Sequence, residues 1–174
     1  MKRWVTDTGP LLHLHQAGFL ELLPGMGEML TPPAVASEWR RLAPDFAQAG
    51  WPVWLSEVAL PKEALAVADN WMRAGLLDRG EAEALALARV TESTGIVTDD
   101  AAAREMAAAL GFEVSGSLGV VLLAAARGVL DRGEAFGALE RLESHSTLWL
   151  SARVRTEARA ALERIIQAGR DRAS

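Results

Sequence analysis

Three aspartates follow two short runs of residues that favour β-strands. Asp7 comes directly after Arg3-Trp4-Val5-Thr6, and Asp99 and Asp100 come directly after Gly95-Ile96-Val97-Thr98. Because the carboxyl ends of parallel strands meet at one edge of a sheet, these side chains are expected to converge there. Carboxylate oxygens are the ligands that hard divalent cations prefer in proteins. Each aspartate could instead cap the helix that follows its strand, a structural role that the pattern leaves open.

A further carboxylate lies within the apolar stripe of a predicted helix. Glu38 follows Val35 by three residues and precedes Leu42 by four, so these side chains share one face. A buried carboxylate without a partner is costly, so either an arginine or a metal ion must satisfy it. Arg40 and Arg41 share that face poorly, which favours the metal ion.

Two more glutamates, Glu81 and Glu83, lie two residues apart on another predicted helix. Their side chains point in directions about 200° apart, so only one of them is expected to face the sheet. Apolar residues follow both glutamates at helical spacing, so periodicity does not choose between them. The other glutamate would then be a favourable charge in the first helical turn.

Several carboxylates in one cleft repel each other unless a cation neutralises them. Mg²⁺ or Mn²⁺ is the expected ion, because every candidate ligand is an oxygen donor and the chain has no cysteine. His13 and His15 point apart on a predicted helix and His145 is isolated, so a zinc site is not expected. Carboxylates that hold Mg²⁺ can hydrolyse a phosphodiester, which carboxylates alone do poorly.

The bulk properties set limits on the class of protein. The chain has 174 residues and a net charge of −5, which predict one domain (residues 1–174) and argue against broad electrostatic capture of nucleic acid. Between Arg153 and Arg172, however, six arginines stand against three acidic residues. Such a run is typical of a solvated helix face, with contact to a phosphate backbone as the alternative. The chain shows no signal-peptide pattern and no apolar stretch of about 20 residues, so a cytoplasmic protein without membrane contact is expected.

Strand-like and helix-like segments alternate, which predicts an α/β fold with a parallel sheet covered on both faces. The predicted strands are 3–6, 28–31, 95–98, 112–114 and 147–150. The predicted helices are 10–23, 33–42, 62–74, 79–92, 100–110, 117–127, 132–142 and 151–167. Residues 44–60 have no regular pattern and look like an apolar, loop-like insert. Trp51 and Trp54 within it are expected to pack in a core or at a dimer contact.

The acids lie in ordered motifs that resemble those of PIN domains. These motifs are Val5-Thr6-Asp7-Thr8-Gly9-Pro10-Leu11-Leu12, Pro33-Ala34-Val35-Ala36-Ser37-Glu38, Gly80-Glu81-Ala82-Glu83-Ala84-Leu85-Ala86-Leu87-Ala88 and Val97-Thr98-Asp99-Asp100 with Ala103-Arg104. Leu110-Gly111 and Gly116-Ser117-Leu118-Gly119-Val120 also match, and the similarity covers residues 4–130, followed by C-terminal helices over 131–170. The resemblance implies a three-layer α/β fold with a central parallel sheet of about four to five strands flanked by helices.

The resemblance also implies an activity, that of a Mg²⁺- or Mn²⁺-dependent endoribonuclease, often the toxin of a toxin–antitoxin pair. RNA would be the substrate, a protein antitoxin a partner, and homodimerisation is expected. By motif, the four catalytic acids are Asp7, Glu38, Glu83 and Asp100. Glu81 competes with Glu83 for the third position and Asp99 assists, so the candidate metal ligands are Asp7, Glu38, Glu81, Glu83, Asp99 and Asp100. The polar side chains near the metal ions would be Thr8 and Ser117.

Other functions remain open at this point. The same fold could be a non-catalytic module that binds nucleic acid or protein, with a partner contact at the tryptophan-rich region 39–54. A phosphoryl-transfer domain could use Asp7 as a covalent nucleophile, but it leaves Glu38 and Glu83 unexplained. An aspartic protease, suggested by Asp7-Thr8-Gly9, is excluded because the flanking residues are helical and the chain has no second such triplet.

Overall fold

A computed structural model describes residues 1–45 and 50–173, which build a five-stranded parallel sheet between two layers of helices. The strands are β1 (Arg3–Thr6), β2 (Glu28–Thr31), β3 (Leu55–Glu57), β4 (Gly95–Val97) and β5 (Glu113–Ser115). Their order is β3-β2-β1-β4-β5, and every neighbouring pair is parallel. The chain therefore winds outwards from β1 in both directions. The predicted three-layer α/β fold is confirmed.

Helices of the described chain cover both faces of the sheet. They are α1 (Thr8–Ala17), α2 (Pro33–Leu42), α3 (Lys62–Arg73), α4 (Arg79–Val90), α5 (Ala101–Ala109), α6 (Ser117–Ala126), α7 (Arg132–His145) and α8 (Ala152–Ala173), with a 3₁₀ helix at Leu20–Met26. Successive side chains of a strand point to opposite faces. Trp4 therefore packs with α1, α2, α6, α7 and α8, whereas Val5 packs with α3, α4 and α5.

Three segments differ from the prediction. The helix predicted over 10–23 ends at Ala17, because Gly18 adopts a left-handed conformation (φ 79°) and caps it. The segment 147–150 is irregular and does not join the sheet. Conversely, β3 lies inside 44–60, which was predicted to be irregular; positions 46–49 of that stretch fall outside the described residues.

The C-terminal helix α8 belongs to the larger of the two cores. Its Leu162 is fully buried, and Arg132 of α7 forms an ion pair with Glu163 at 2.6 Å. Within the described residues, no helix combines the length and the apolar character needed to cross a bilayer.

Candidate active site

Asp7 occupies the end of β1 and the first position of the turn into α1. Its side chain is buried with 5 % exposed, accepts a hydrogen bond from the Gly9 N–H at 3.1 Å, and accepts another from the Thr98 hydroxyl. Burial raises the pKa of Asp7 well above its ordinary value, the Thr98 hydrogen bond opposes this, and the nearby charges of Asp99 and Glu81 raise it further. Asp7 is thus both a helix cap and a carboxylate for which ionisation is costly.

Thr98 links Asp7 to the end of the neighbouring strand. While its hydroxyl donates to Asp7, the same oxygen accepts a hydrogen bond from the Asp100 N–H at 3.2 Å. Asp100 itself caps α5 by accepting from the Ala103 N–H at 2.8 Å. The ends of β1 and β4 are therefore tied together by one buried hydroxyl, which keeps both aspartates at the same edge of the sheet.

Glu38 reaches this edge from α2. The Thr8 hydroxyl donates to Glu38 Oε2 at 2.6 Å, and a Cβ placed on Gly80 would lie 3.5 Å from the same oxygen. The start of α4 is thus packed directly against Glu38. Two expectations for this residue are corrected: its side chain is 42 % exposed instead of buried, because it lies at the rim of a cleft, and Arg41 Nη2 stands 3.8 Å from its Oε1.

On α4, Glu81 is electrostatically coupled to the other acids. Its Oε2 accepts from the Asp78 N–H at 2.8 Å, which completes a capping box. Burial raises the pKa of Glu81, the Asp78 hydrogen bond opposes the rise, and the charges of Asp100, Asp78 and Glu38 add to it. Since Glu81 also raises the pKa of Asp7, these electrostatic couplings group it with Asp7, Glu38 and Asp100.

Glu83 has different surroundings from Glu81, and its expected role as the third catalytic acid stays a prediction. Glu83 is buried with 4 % of its surface exposed, and its Oε1 accepts from Arg79 Nε at 2.9 Å. The Glu83 carboxylate also raises the pKa of Arg79. Glu83 lines the cleft beside Glu38, and the Arg79 guanidinium balances its charge.

Asp99 joins three elements and has both oxygens occupied. Its Oδ1 accepts from the Ser117 N–H at 2.7 Å, and its Oδ2 accepts from the Ser117 hydroxyl at 2.5 Å. His13 Nδ1 of α1 lies 2.7 Å from the same Oδ2. Asp99 and Ser117 therefore connect α1, the end of β4 and the start of α6, and the expected assisting role of Asp99 at a metal ion stays a prediction.

A family model described as PIN domain matches residues 3–164. The chain belongs to the PIN-domain family. The resemblance carried by the motifs is thereby confirmed, and the match extends over α7 and into α8. PIN domains are generally nucleases and typically use divalent metal ions. No curated protein matches the chain.

The carboxylate oxygens at the sheet edge of this PIN domain are ligands that suit a hard cation, although the acids do not surround a single ion position. Within the described parts of the chain, no three histidine, aspartate or glutamate side chains converge on a single ion position. Asp7, Glu81 and Asp100 have no arginine or lysine partner among the described residues. Burial is the main cause of the raised pKa values of Asp7 and Glu81, and the charges of neighbouring acids raise them further. A divalent cation would offset that repulsion.

Two supporting residues of the PIN-domain site were not predicted as such. Thr98 directly follows β4, within the Val97-Thr98-Asp99-Asp100 motif. A hydroxyl side chain after the apolar residues Ile96 and Val97 was the feature of the sequence that could have indicated its supporting role. His13 was considered only as a zinc ligand, a role that was not expected because His13 and His15 point apart on their helix. Its contact with Asp99 depends on the packing of α1 against β4, for which the sequence carries no local signal.

Proposed function

We propose that this PIN domain is a metal-dependent endoribonuclease that hydrolyses RNA phosphodiester bonds. One observation carries the proposal: Asp7 is buried at the carboxyl edge of the sheet, is electrostatically coupled to other acids, and has no basic partner among the described residues. An ionised carboxylate in such a position costs folding free energy, and groups of this kind concentrate at functional sites. Family membership supports nuclease chemistry in general.

We assign Asp7, Glu38, Glu81 and Asp100 as the residues that would hold Mg²⁺ or Mn²⁺. A bound divalent cation activates a water molecule and offsets the negative charge of the scissile phosphate. The chain's own supporting groups orient these acids. Thr98 fixes the Asp7 and Asp100 turns, and Thr8 directs Glu38 towards the start of α4.

A cleft of about 860 Å³ beside the acids offers room for a nucleic-acid strand. Glu38 lies in its wall together with Arg41 and Arg79, whose side chains are 71 % and 72 % exposed. Exposed guanidinium groups are the usual contacts of phosphate oxygens. The overall acidic charge is thus compatible with local phosphate binding next to the acids.

The test compares two isosteric substitutions on α4. With a fluorogenic single-stranded RNA and Mn²⁺, Glu81→Gln should lower kcat/KM at least about 100-fold, whereas Glu83→Gln should stay within about threefold of the parent. Glutamine preserves the capping box at Glu81, so melting temperature should change little there. Asp7→Asn and EDTA should each abolish cleavage. RNA cleavage that persists in EDTA, or in the Asp7 variant, would refute the proposal.

A non-catalytic binding module is the second candidate, and the lack of a converged metal site among the described residues favours it. It predicts RNA or protein binding that neither Mg²⁺ nor Asp7→Asn alters. A covalent phosphoryl-transfer role fits less well, because the Asp7 oxygens are buried and engaged by Gly9 and Thr98.

The biological setting is also a proposal. As the toxin of a toxin–antitoxin pair, the protein would act in the cytoplasm, arrest growth when expressed, and be held inactive by a protein antitoxin. Growth arrest should be relieved by Asp7→Asn at equal protein level. Homodimerisation is checked by sedimentation velocity over a range of protein concentrations, where one monomeric species throughout would contradict it.

A further inference from the structure

A second groove lies at the β4–β5 side of the sheet, whereas the large cleft is lined by residues of α2 and α4. The second groove has a volume of about 370 Å³ and lies where the ends of β4 and β5 meet the start of α6, the segment 148–150 and the start of α8. Its lining includes Asp99, Arg104, Leu118, Leu148, Trp149 and Val154. Asp99 adjoins Asp100 in the chain and raises the pKa of Asp7, so the groove borders the candidate active site.

Trp149 in this groove differs from the other tryptophans. Trp149 is 82 % exposed, whereas Trp4 and Trp39 are buried and Trp71 is partly buried against a core. Trp51 and Trp54 are partly buried against the core, and their indole N–H groups donate to Leu55 O and Glu21 Oε2. The packing predicted for Trp51 and Trp54 therefore does not extend to Trp149, whose ring is open to a ligand.

Arg104 supplies a positive charge in the same groove. Its Nη1 donates to Thr98 O at 3.2 Å, and it forms no ion pair with a carboxylate of the described residues. A guanidinium group has five N–H donors, so most of those of Arg104 remain open to an anion. The bond to Thr98 also places this charge next to the residue that orients Asp7.

We propose that this groove is a nucleotide subsite for single-stranded RNA, in which a base stacks on Trp149 and Arg104 binds a flanking phosphate. An exposed aromatic ring beside an unpaired cation is the usual arrangement of single-strand binding sites. The groove has the volume of a small-molecule pocket and is too small for a duplex. This subsite rests on the proposed nuclease function, since it would hold a nucleotide next to the scissile bond.

A second copy of the chain is the competing occupant, because tryptophan is also enriched at protein interfaces. Two observations favour the nucleotide. The groove contains the Arg104 guanidinium, which forms no ion pair with a carboxylate in the described chain. Its lining also includes Asp99, which directly precedes Asp100, one of the acids proposed to hold the metal ion.

The experiment measures binding of a short fluorescein-labelled single-stranded RNA by fluorescence anisotropy, in the Asp7→Asn background so that cleavage does not intervene. Trp149→Ala should raise Kd about 5- to 150-fold, the equivalent of one stacked base, and Trp149→Phe should retain most of the affinity. Arg104→Gln should lower the slope of log Kd against log salt by about 0.7. Val53→Ala, a fully exposed position before β3 at the far edge of the sheet, is the control and should change nothing.

An abasic nucleotide gives a second measurement that a merely structural role of Trp149 would not affect. At one position of the RNA, removal of the base should eliminate the penalty of Trp149→Ala, because the base that stacks is already absent. Sedimentation velocity on the same variants measures their self-association, the property that a second copy of the chain in the groove would affect.

Unchanged RNA affinity in Trp149→Ala would overturn the subsite, as would loss of self-association by that variant with RNA affinity intact. Cleavage of RNA by the unmodified protein with Mn²⁺ is recorded in parallel. If the RNA is cleaved but Trp149→Ala binds normally, only the subsite fails. If the unmodified protein neither binds nor cleaves RNA, the proposed function and the subsite both fail.

Discussion

Replacing Asp7 by asparagine should stabilise the metal-free protein at neutral pH while removing its response to metal. Burial, followed by the charges of Asp99 and Glu81, raises the Asp7 pKa, so its ionised form is unfavourable in the folded state. Asparagine removes that charge and keeps the helix cap, since its Oδ1 can accept from the Gly9 N–H. Its amide can donate to the Thr98 oxygen, which preserves the buried contact in reversed direction.

The expected gain is on the order of 1–2 kcal/mol, the range in which removal of a functional but unfavourable group commonly falls. For a chain of this size, each kcal/mol moves the melting temperature by about 2–4 °C, so we expect an increase of about 2–8 °C. The folded-state pKa of Asp7 lies above its unfolded value. Its contribution to stability is therefore complete below the unfolded pKa and is lost as pH rises through the folded pKa. The gain should thus be small at acidic pH and largest at alkaline pH.

In the presence of metal, the unmodified protein should become more stable than the Asp7→Asn variant. At Mg²⁺ or Mn²⁺ concentrations about 100 times Kd, a ligand that binds only the folded state adds about 2.7 kcal/mol to the unmodified protein. The Asp7→Asn variant should gain little. Calorimetric melting at about pH 4 and about pH 8, in EDTA and in metal, measures all four combinations. If the variant is less stable than the parent in EDTA at the higher pH, or gains as much from metal, the reasoning is refuted.

Three further substitutions test supporting parts of the fold. Thr98→Val removes the hydroxyl that orients Asp7, so metal affinity or RNA cleavage should fall about 10- to 100-fold with the fold intact, which titration calorimetry and circular dichroism would check. Gly116→Ala would place a Cβ 2.7 Å from Asp99 Oδ1, and urea unfolding should show a loss of about 1–3 kcal/mol. Gly137→Ala within α7 meets nothing within 4 Å, and the same assay should show a gain of about 0.5–1 kcal/mol; a loss would contradict the open space there.

The sequence by itself was sufficient for the parallel α/β class and for which acids reach the sheet edge from strands. Strand and helix periodicities are local, and an aspartate that directly follows a strand is carried to the end of that strand whatever surrounds it. For this reason Asp7 and Asp100 lie where they were predicted. The edge strand β3 was not predicted, because a strand of only three residues next to Pro52 and Trp54 is too short to show an alternation of apolar and polar residues.

Only the tertiary structure shows how the surroundings of Glu81 and Glu83 differ and which groups contact Asp99. Both glutamates have apolar neighbours at helical spacing, so the choice depends on the rotation of α4 against the sheet, which packing of the whole core determines. In the same way, the contact between His13 and Asp99 joins α1 to the turn after β4, 86 positions further along the chain. Contacts between residues far apart in the chain are properties of the packed core, and no local pattern of residue types encodes them.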